Sequence, residues 1–340
     1  MYSKDSPSQN SERWQKLQRS ALAAIARRNP DSCLDWALAH RVIRRQFLKL
    51  TPALRDLYAD DHPRIVVQKA AQMGVSEWLT SLGLWAADTG QGGRGHVFYV
   101  MPTENTMRDF TQARIDRAIA ESPHLKSRVG TLSKVDRSPD RTALKRVGPG
   151  YIYFRGSDRR QLASVDADVV ILDEFDQMDD QVLSLALQRL ASSKLGWIRV
   201  ASTPGLPEAG VNGLFRQSDQ RRYLLPCPKC GKRQPLTWEE NVDLERALLV
   251  CGSRRCRAPM DIRAEGEWVA TASENSWRGY HLNRLYSPFA NLEEMIVESQ
   301  SSGPSAQTAF QNQVLGEVFV PSGSGLTLTD LDKCRREYSL

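Results

Sequence analysis

The sequence predicts an α/β fold with a mainly parallel central sheet, and two stretches carry that prediction. The first runs from Pro63 to Glu77, PRIVVQKAAQMGVSE. Ile65, Val66 and Val67 read as a short buried strand, a loop follows to Gly74, and a helical pattern at Trp78, Leu79, Leu82, Trp85 and Ala86 begins beyond it. The second runs from Val165 to Met178, VDADVVILDEFDQM, where the apolar residues Val169 to Leu172 end in Asp173 and Glu174. A central strand of a parallel sheet reads this way, and such sheets place their ligands at the C-terminal ends of the strands. Between and after these stretches strand and helix alternate, as an α/β domain requires.

A strand feeding a tight loop feeding a helix forms a cradle for phosphate. Laid on the P-loop pattern G-x-x-x-x-G-K-[ST], this loop keeps the second glycine as Gly74 and the hydroxyl as Ser76, but has Lys69 at the first glycine and Val75 at the lysine. Main-chain N–H groups along Ala70, Ala71, Gln72, Met73, Gly74 and Val75 still offer donors to phosphate oxygens, and Ser76 still offers a ligand to Mg²⁺. The cation missing at Val75 is available from the other rim, where the long stem of Lys69 can bring its ammonium to the β and γ phosphates. Alone, the stretch reads equally as a strand-turn-helix without a ligand. The Asp173-Glu174 pair, about 100 residues on and within the span of one α/β domain, decides for a nucleotide site. Asp173 is expected to hold Mg²⁺, directly or through water, and Glu174 to polarise the water that attacks the γ-phosphate. The expected activity is ATP hydrolysis.

The 340 residues, 41% hydrophobic with a net charge of +6, suit one large globular domain or two and permit a polyanion partner without requiring one. No apolar run approaches the ~20 residues of a spanning helix and the polar N-terminus lacks a secretory core, so the chain reads as soluble and cytosolic, with no membrane partner. Residues 1–11 read as a disordered tail. Residues 12–60 read as a helical subregion, two or three helices broken at Asn29-Pro30 and Thr51-Pro52. Within it Gln46 and Phe47 offer an amide for the edge of adenine and an aromatic for its face, although a helix-surface Gln and a core Phe read the same way.

Residues 61–222 form the expected nucleotide-hydrolysing core. Val97 to Val100 is a further buried strand, and Thr103 caps a helix from about Glu104 to Glu121, closed by Ser122-Pro123. The segment from Lys126 to Arg160 is rich in Arg and Lys, and Tyr151 to Gly156 reads as a strand within it. Such a run is a solvated face, a track for DNA phosphates, or the source of an arginine that stabilises the phosphoryl group of a neighbouring subunit, with Arg155, Arg159 and Arg160 as candidates. A helix from Val182 to Ala191 leads to a strand from Trp197 to Ala201 that ends in Ser202 and Thr203. Hydroxyls there, beside the two phosphate-site strands, suit a sensor of the γ-phosphate; a capped loop is the plain alternative.

Four cysteines give a metal signal. Cys227, Cys230, Cys251 and Cys256 form C-x2-C-x20-C-x4-C, two knuckles able to close a tetrahedral Zn²⁺ site. Four thiolates leave no open position, so the zinc is expected to be structural, stapling a β-ribbon at 223–265. Residues 266–320 read as the remainder of the ATPase and a linker subdomain, with His281 packed among aromatics and helices at Leu292–Gln300 and Ala306–Leu315; 321–340 reads as a linker tail.

The succession QKAAQMGVSE, GSDRRQLASVDADVVILDEFDQM, ASTPG and SDQRRYLLPCPKCG resembles the large terminase subunit of tailed double-stranded DNA phages, of the lambda-type (GpA) family, over about residues 40–325. The resemblance implies an additional-strand P-loop ATPase that translocates double-stranded DNA into a procapsid in the host cytoplasm. It further implies a small terminase subunit, a portal and a homo-oligomeric ring as partners. The family's Walker B acid and catalytic glutamate fall on Asp173 and Glu174, its coupling motif on Ser202 and Thr203, and some members start the loop with lysine, as Lys69 does. Such subunits fuse the motor to a metal-dependent nuclease. Here the tail has only Asp330, Asp332 and Glu337, so endonuclease activity is expected only from a domain supplied elsewhere. Two other readings stay open: a helicase-like remodelling ATPase, and a zinc-ribbon DNA-binding or scaffold subunit with an inactive P-loop.

Overall fold

Uninterrupted apolar runs become the middle of an eight-stranded sheet. The computed structural model describes residues 20–22, 24, 31–129, 140–162, 165–273 and 275–320. The expected tail at 1–11, most of the first expected helix, part of the basic run and the expected linker tail at 321–340 lie outside the described residues.

Helix α1 (Cys33–His40) is capped by Ser32, whose hydroxyl accepts from the Asp35 N–H. A hairpin of β1 (Val42–Ile43) and β2 (Gln46–Phe47) follows, then α2 (Pro52–Ala59), which starts on proline where a helix has no use for the N–H. The hairpin corrects the all-helical expectation for this region: Arg44 and Arg45 both have positive φ, the two-residue turn geometry that joins twisted antiparallel strands.

The core runs β3 (Arg64–Lys69), α3 (Val75–Thr89), β4 (His96–Met101), then α4 (Glu104–Phe110) and α5 (Arg117–Glu121) joined through a π-helical stretch. Thr103 caps α4 through a reciprocal pair of bonds with Thr106, as its position predicts. Next come α6 (Pro123–Arg128), β5 (Asp140–Arg141), β6 (Leu144–Val147), β7 (Gly150–Gly156), β8 (Val169–Asp173), α7 (Val182–Gln188), β9 (Trp197–Ser202) and α8 (Gly210–Arg216). The ribbon region contains β10 (Arg222–Pro226), β11 (Arg233–Gln234), α9 (Trp238–Asn241), β12 (Val242–Asp243), β13 (Leu248–Leu249) and β14 (Glu267–Val269). The chain re-enters the main sheet as β15 (Arg278–Leu282) and continues through α10 (Leu292–Ser299) and α11 (Pro304–Ala309) into a π-helical turn, Phe310–Leu315.

The main sheet has the order β15-β3-β9-β8-β4-β7-β6-β5. The first six strands are parallel, and β6 and β5 add an antiparallel edge. Alternate residues of one strand feed two cores: Ile65 and Val67 join Trp78, Leu79 and Trp85 of α3 on one face, while Val66 meets Val211 and Leu214 of α8 on the other. No helix among the described residues is long and apolar enough to cross a membrane.

Candidate functional site

The parallel register sets the C-terminal ends of β3, β9 and β8 side by side, with Gln68 opposite Ser202 and Ala201 opposite Asp173. The chain leaves β3 at Lys69 and turns through Gln72, φ 61°, and Gly74, φ 78°, into α3. Left-handed backbone at Gly74 makes glycine the fitting residue there. Val75, at the position of the usual P-loop lysine, is buried in the hydrophobic core.

Lys69 is a buried cation at the start of the loop. Its Nζ lies 2.9 Å from Glu174 Oε1, with the lysine side chain 5% exposed and the glutamate 29%. Glu174 itself has left-handed backbone, φ 61° and ψ 47°, which turns its carboxylate back towards β3. Ser76 Oγ donates to Asp173 Oδ1 at 3.3 Å, and the Tyr99 hydroxyl donates to Asp173 Oδ2 at 2.9 Å. Burial pushes the Asp173 carboxyl up; Lys69 opposes this, and the charge of Glu174 adds to it. A buried carboxylate beside a hydroxyl is an all-oxygen donor set of the kind Mg²⁺ takes.

The loop amides divide into two sets. Ala70 N–H donates to Leu282 O at 2.7 Å and Ala71 N–H to Gln313 O at 2.8 Å, tying the start of the loop to β15 and to the last helical turn. Among the described residues the amides of Gln72, Met73 and Gly74 have no acceptor, and they precede the open N-terminus of α3.

Ser202 is buried, and its Oγ accepts from the Asp176 N–H at 3.1 Å, so the expected coupling segment Ser202-Thr203 touches the turn after Glu174. Arg155 is half-buried and spends its guanidinium on the carbonyls of Ala143 and Phe154, 2.9 and 2.8 Å away; Arg159 and Arg160 are exposed in the turn after β7. Gln46 lies exposed in the β1-β2 hairpin, and among the described residues no hydrogen bond joins its side chain to the loop. His281 is buried, its Nε2 3.1 Å from Gly316 O; burial lowers its pKa to about 3, and neighbouring Arg222 adds to the shift, so it is a packed neutral imidazole.

Three further residues belong to the site. Tyr99 sits in an otherwise apolar strand, where a hydroxyl needs a partner and so gives a weak signal. Asp176 and Gln68 have no such local mark, because their partners lie 35 and 144 residues away.

The four ribbon cysteines converge as their spacing predicts. Their sulfurs all lie within 4.8 Å of one another, with Cys227–Cys256 and Cys230–Cys251 both at 3.7 Å. A tetrahedral zinc with Zn–S near ~2.3 Å places its sulfurs about 3.8 Å apart, so the cluster fits the ion. Backbone N–H groups of Cys230 and Lys229 help draw the Cys227 thiol down to about 6.

Comparison with known proteins bears on the fold and the family. The large terminase ATPase domain of Thermus phage P74-26 superposes with a TM-score of 0.50 at 16% identity, over 80% of this chain and 95% of that one. The HK97 bacteriophage large terminase superposes with a TM-score of 0.54 at 10% identity, over 85% of this chain and 55% of that one, so the chain spans about half of that protein. No curated protein sequence matches significantly. At these identities the structures establish the fold. The sequence profile of one family matches residues 49–277, more than half of the chain, and on that match the chain belongs to the family described as phage terminase large subunit gpA, ATPase domain.

Proposed function

We propose that ATP binds over the loop from Lys69 to Ser76, against Asp173 and Glu174, and that its hydrolysis drives double-stranded DNA into a viral procapsid. The observation that carries this reading is the meeting of Lys69 and Glu174 at the ends of two parallel strands, beside the Ser76–Asp173 pair. Lys69 moves to the β and γ phosphates, the N–H groups of Gln72 to Ser76 take the remaining oxygens, and Glu174 orients the attacking water. Ser76 and Asp173 would hold Mg²⁺, which would supply positive charge beside the phosphates. Ser202 and Thr203 report the loss of phosphate. Cys227, Cys230, Cys251 and Cys256 hold a structural zinc. The small terminase subunit, the portal and further copies of this chain in a ring are the expected partners in the host cytoplasm, with Arg159 or Arg160 reaching a neighbour's nucleotide; Arg155 is committed to its own strands.

Steady-state ATP hydrolysis with and without duplex DNA tests the proposal. DNA-stimulated turnover that disappears in Lys69→Ala and Glu174→Gln supports it. A wild-type protein that stays inactive with DNA, small subunit and procapsid present sinks it and leaves a zinc-ribbon DNA-binding subunit.

A further inference from the structure

The first turn of α8 is stitched at two points to the strands that carry the catalytic pair. On one side Asp176, two residues after Glu174, accepts from Val211 N–H through Oδ1 and from Gly205 N–H through Oδ2, each at 2.7 Å. On the other side Asn212 Nδ2 donates to Gln68 Oε1 at 3.0 Å, and Gln68 immediately precedes Lys69. Asn212 Oδ1 also accepts from Glu208 N–H at 2.9 Å, which fixes the loop leading into the helix. Gln68 in turn donates to Gly316 O at 2.7 Å.

The sheet order places β9 between β3 and β8, so Lys69 and Glu174 stand two strand spacings apart, about 10 Å at the backbone. Besides β9, which pairs with both strands, two side-chain links span that gap: the ion pair itself, and the turn of α8 on the sheet face opposite α3. ATP needs the ion pair open, because Lys69 goes to phosphate and Glu174 to water. Once it opens, the α8 bridge remains, beside the β9 ladder, as a side-chain link between the residues that flank Lys69 and Glu174. A capping role alone accounts for the Val211 bond; it does not account for the bond from Gly205, the bond of Ser202 to the same turn, or the second stitch at Gln68.

We propose that Asp176 and Asn212 are positioning residues for hydrolysis, holding Glu174 and Lys69 at a working separation through the first turn of α8. The inference rests on the ATPase reading of that pair.

The test separates kcat from nucleotide affinity in Asp176→Asn, Asp176→Ala, Asn212→Asp and the double variant D176N/N212D. The expected result is a kcat lower by roughly ten- to a hundredfold in each single variant, with the affinity for a fluorescent ATP analogue unchanged. Asp176→Asn should lose less than Asp176→Ala, because its amide oxygen still accepts one of the two N–H groups. The double variant should be no slower than the worse single one, since either change already breaks the bridge. Asn212→Ala, which removes the stitch to Gln68 and leaves Asp176 in place, replaces Asp176→Ala if that variant does not fold. Unchanged kcat, or a loss of kcat matched by equal losses of nucleotide affinity and thermal stability, overturns the proposal. A wild type without ATPase activity overturns the function proposal as well; an active wild type with unaffected variants overturns this one alone.

Discussion

Lys69 and Glu174 pair at 2.9 Å, and on the proposed reading each takes a different partner once ATP binds. The lysine is almost fully buried, so without the glutamate it is left as an unpaired buried cation that phosphate can satisfy. Glu174→Gln should therefore bind ATP more tightly than the wild type, by roughly tenfold, while kcat falls by roughly 10²–10⁴. Lys69→Ala should weaken binding and abolish turnover. Equilibrium nucleotide binding alongside steady-state kinetics reads both effects. Equal affinity of wild type and Glu174→Gln would mean that the pair does not compete with nucleotide.

The Tyr99 hydroxyl is the second donor to Asp173, and it lies in the core with nowhere else to point. Tyr99→Phe removes that donor and keeps the ring against Phe110 and Phe154. The carboxyl, already pushed up by burial, then rises further and is less ready to meet Mg²⁺. The expected outcome is a Mg²⁺ requirement shifted upward by roughly tenfold, with kcat at saturating Mg²⁺ close to the wild-type value. A Mg²⁺ titration of the ATPase measures it; an unshifted midpoint rejects the role.

Much of this site was legible because parallel strands buried on both faces leave unbroken apolar runs, as at Val169 to Leu172, and because the acidic pair and the glycine follow such runs directly. The cysteine knuckles were legible for a related reason: each pair of ligands is local, and only the closure is long-range. The β1-β2 hairpin was not, since Arg44-Arg45 carries none of the Asn or Gly that usually marks a turn with positive φ. Asp176, Asn212 and Gln68 escaped because a single hydrogen bond between distant segments has no periodicity to betray it.

Asp88, near the end of α3, fastens α1 and α6 to the core. It accepts from Trp36 Nε1 at 2.9 Å and Arg128 Nε at 2.6 Å, and meets His124 Nε2 at 2.6 Å. Burial alone would raise this carboxyl, but the bonds from His124, Arg128 and Trp36 outweigh it and hold the group down at about 2. A folded value below the unfolded one, near ~3.9, means the unfolded chain binds more protons in between. The stabilisation, on the order of 2 kcal/mol, is therefore present above about pH 4 and lost as pH falls through about 2. Asp88→Asn should lower the urea midpoint at neutral pH and flatten the fall between about pH 4 and 2. A variant with an unchanged acid limb would place the titration elsewhere.

The ribbon holds four sulfurs at zinc-like separations, and only one of its cysteines, Cys230, is exposed. Around them Gln234 donates to Cys251 Sγ at 3.3 Å and its side-chain carbonyl accepts from Gly252 N–H at 2.9 Å, so the second knuckle is held from within the ribbon. Without the ion, nothing bridges the four thiols, and the two-residue strands beside them add few ladder bonds to hold the knuckles together. The purified protein should release one Zn²⁺ per chain to a mercurial reagent, detected by a chromogenic chelator. Cys230→Ser should lower that yield and make the segment between Cys227 and Cys256 the first site of proteolysis, while the sheet core stays resistant. Because no ribbon cysteine touches Lys69, Glu174 or Asp173, the variant should retain nucleotide binding. Loss of nucleotide binding together with zinc would show that the ribbon supports the ATP site itself, through β10 and its contact with β15.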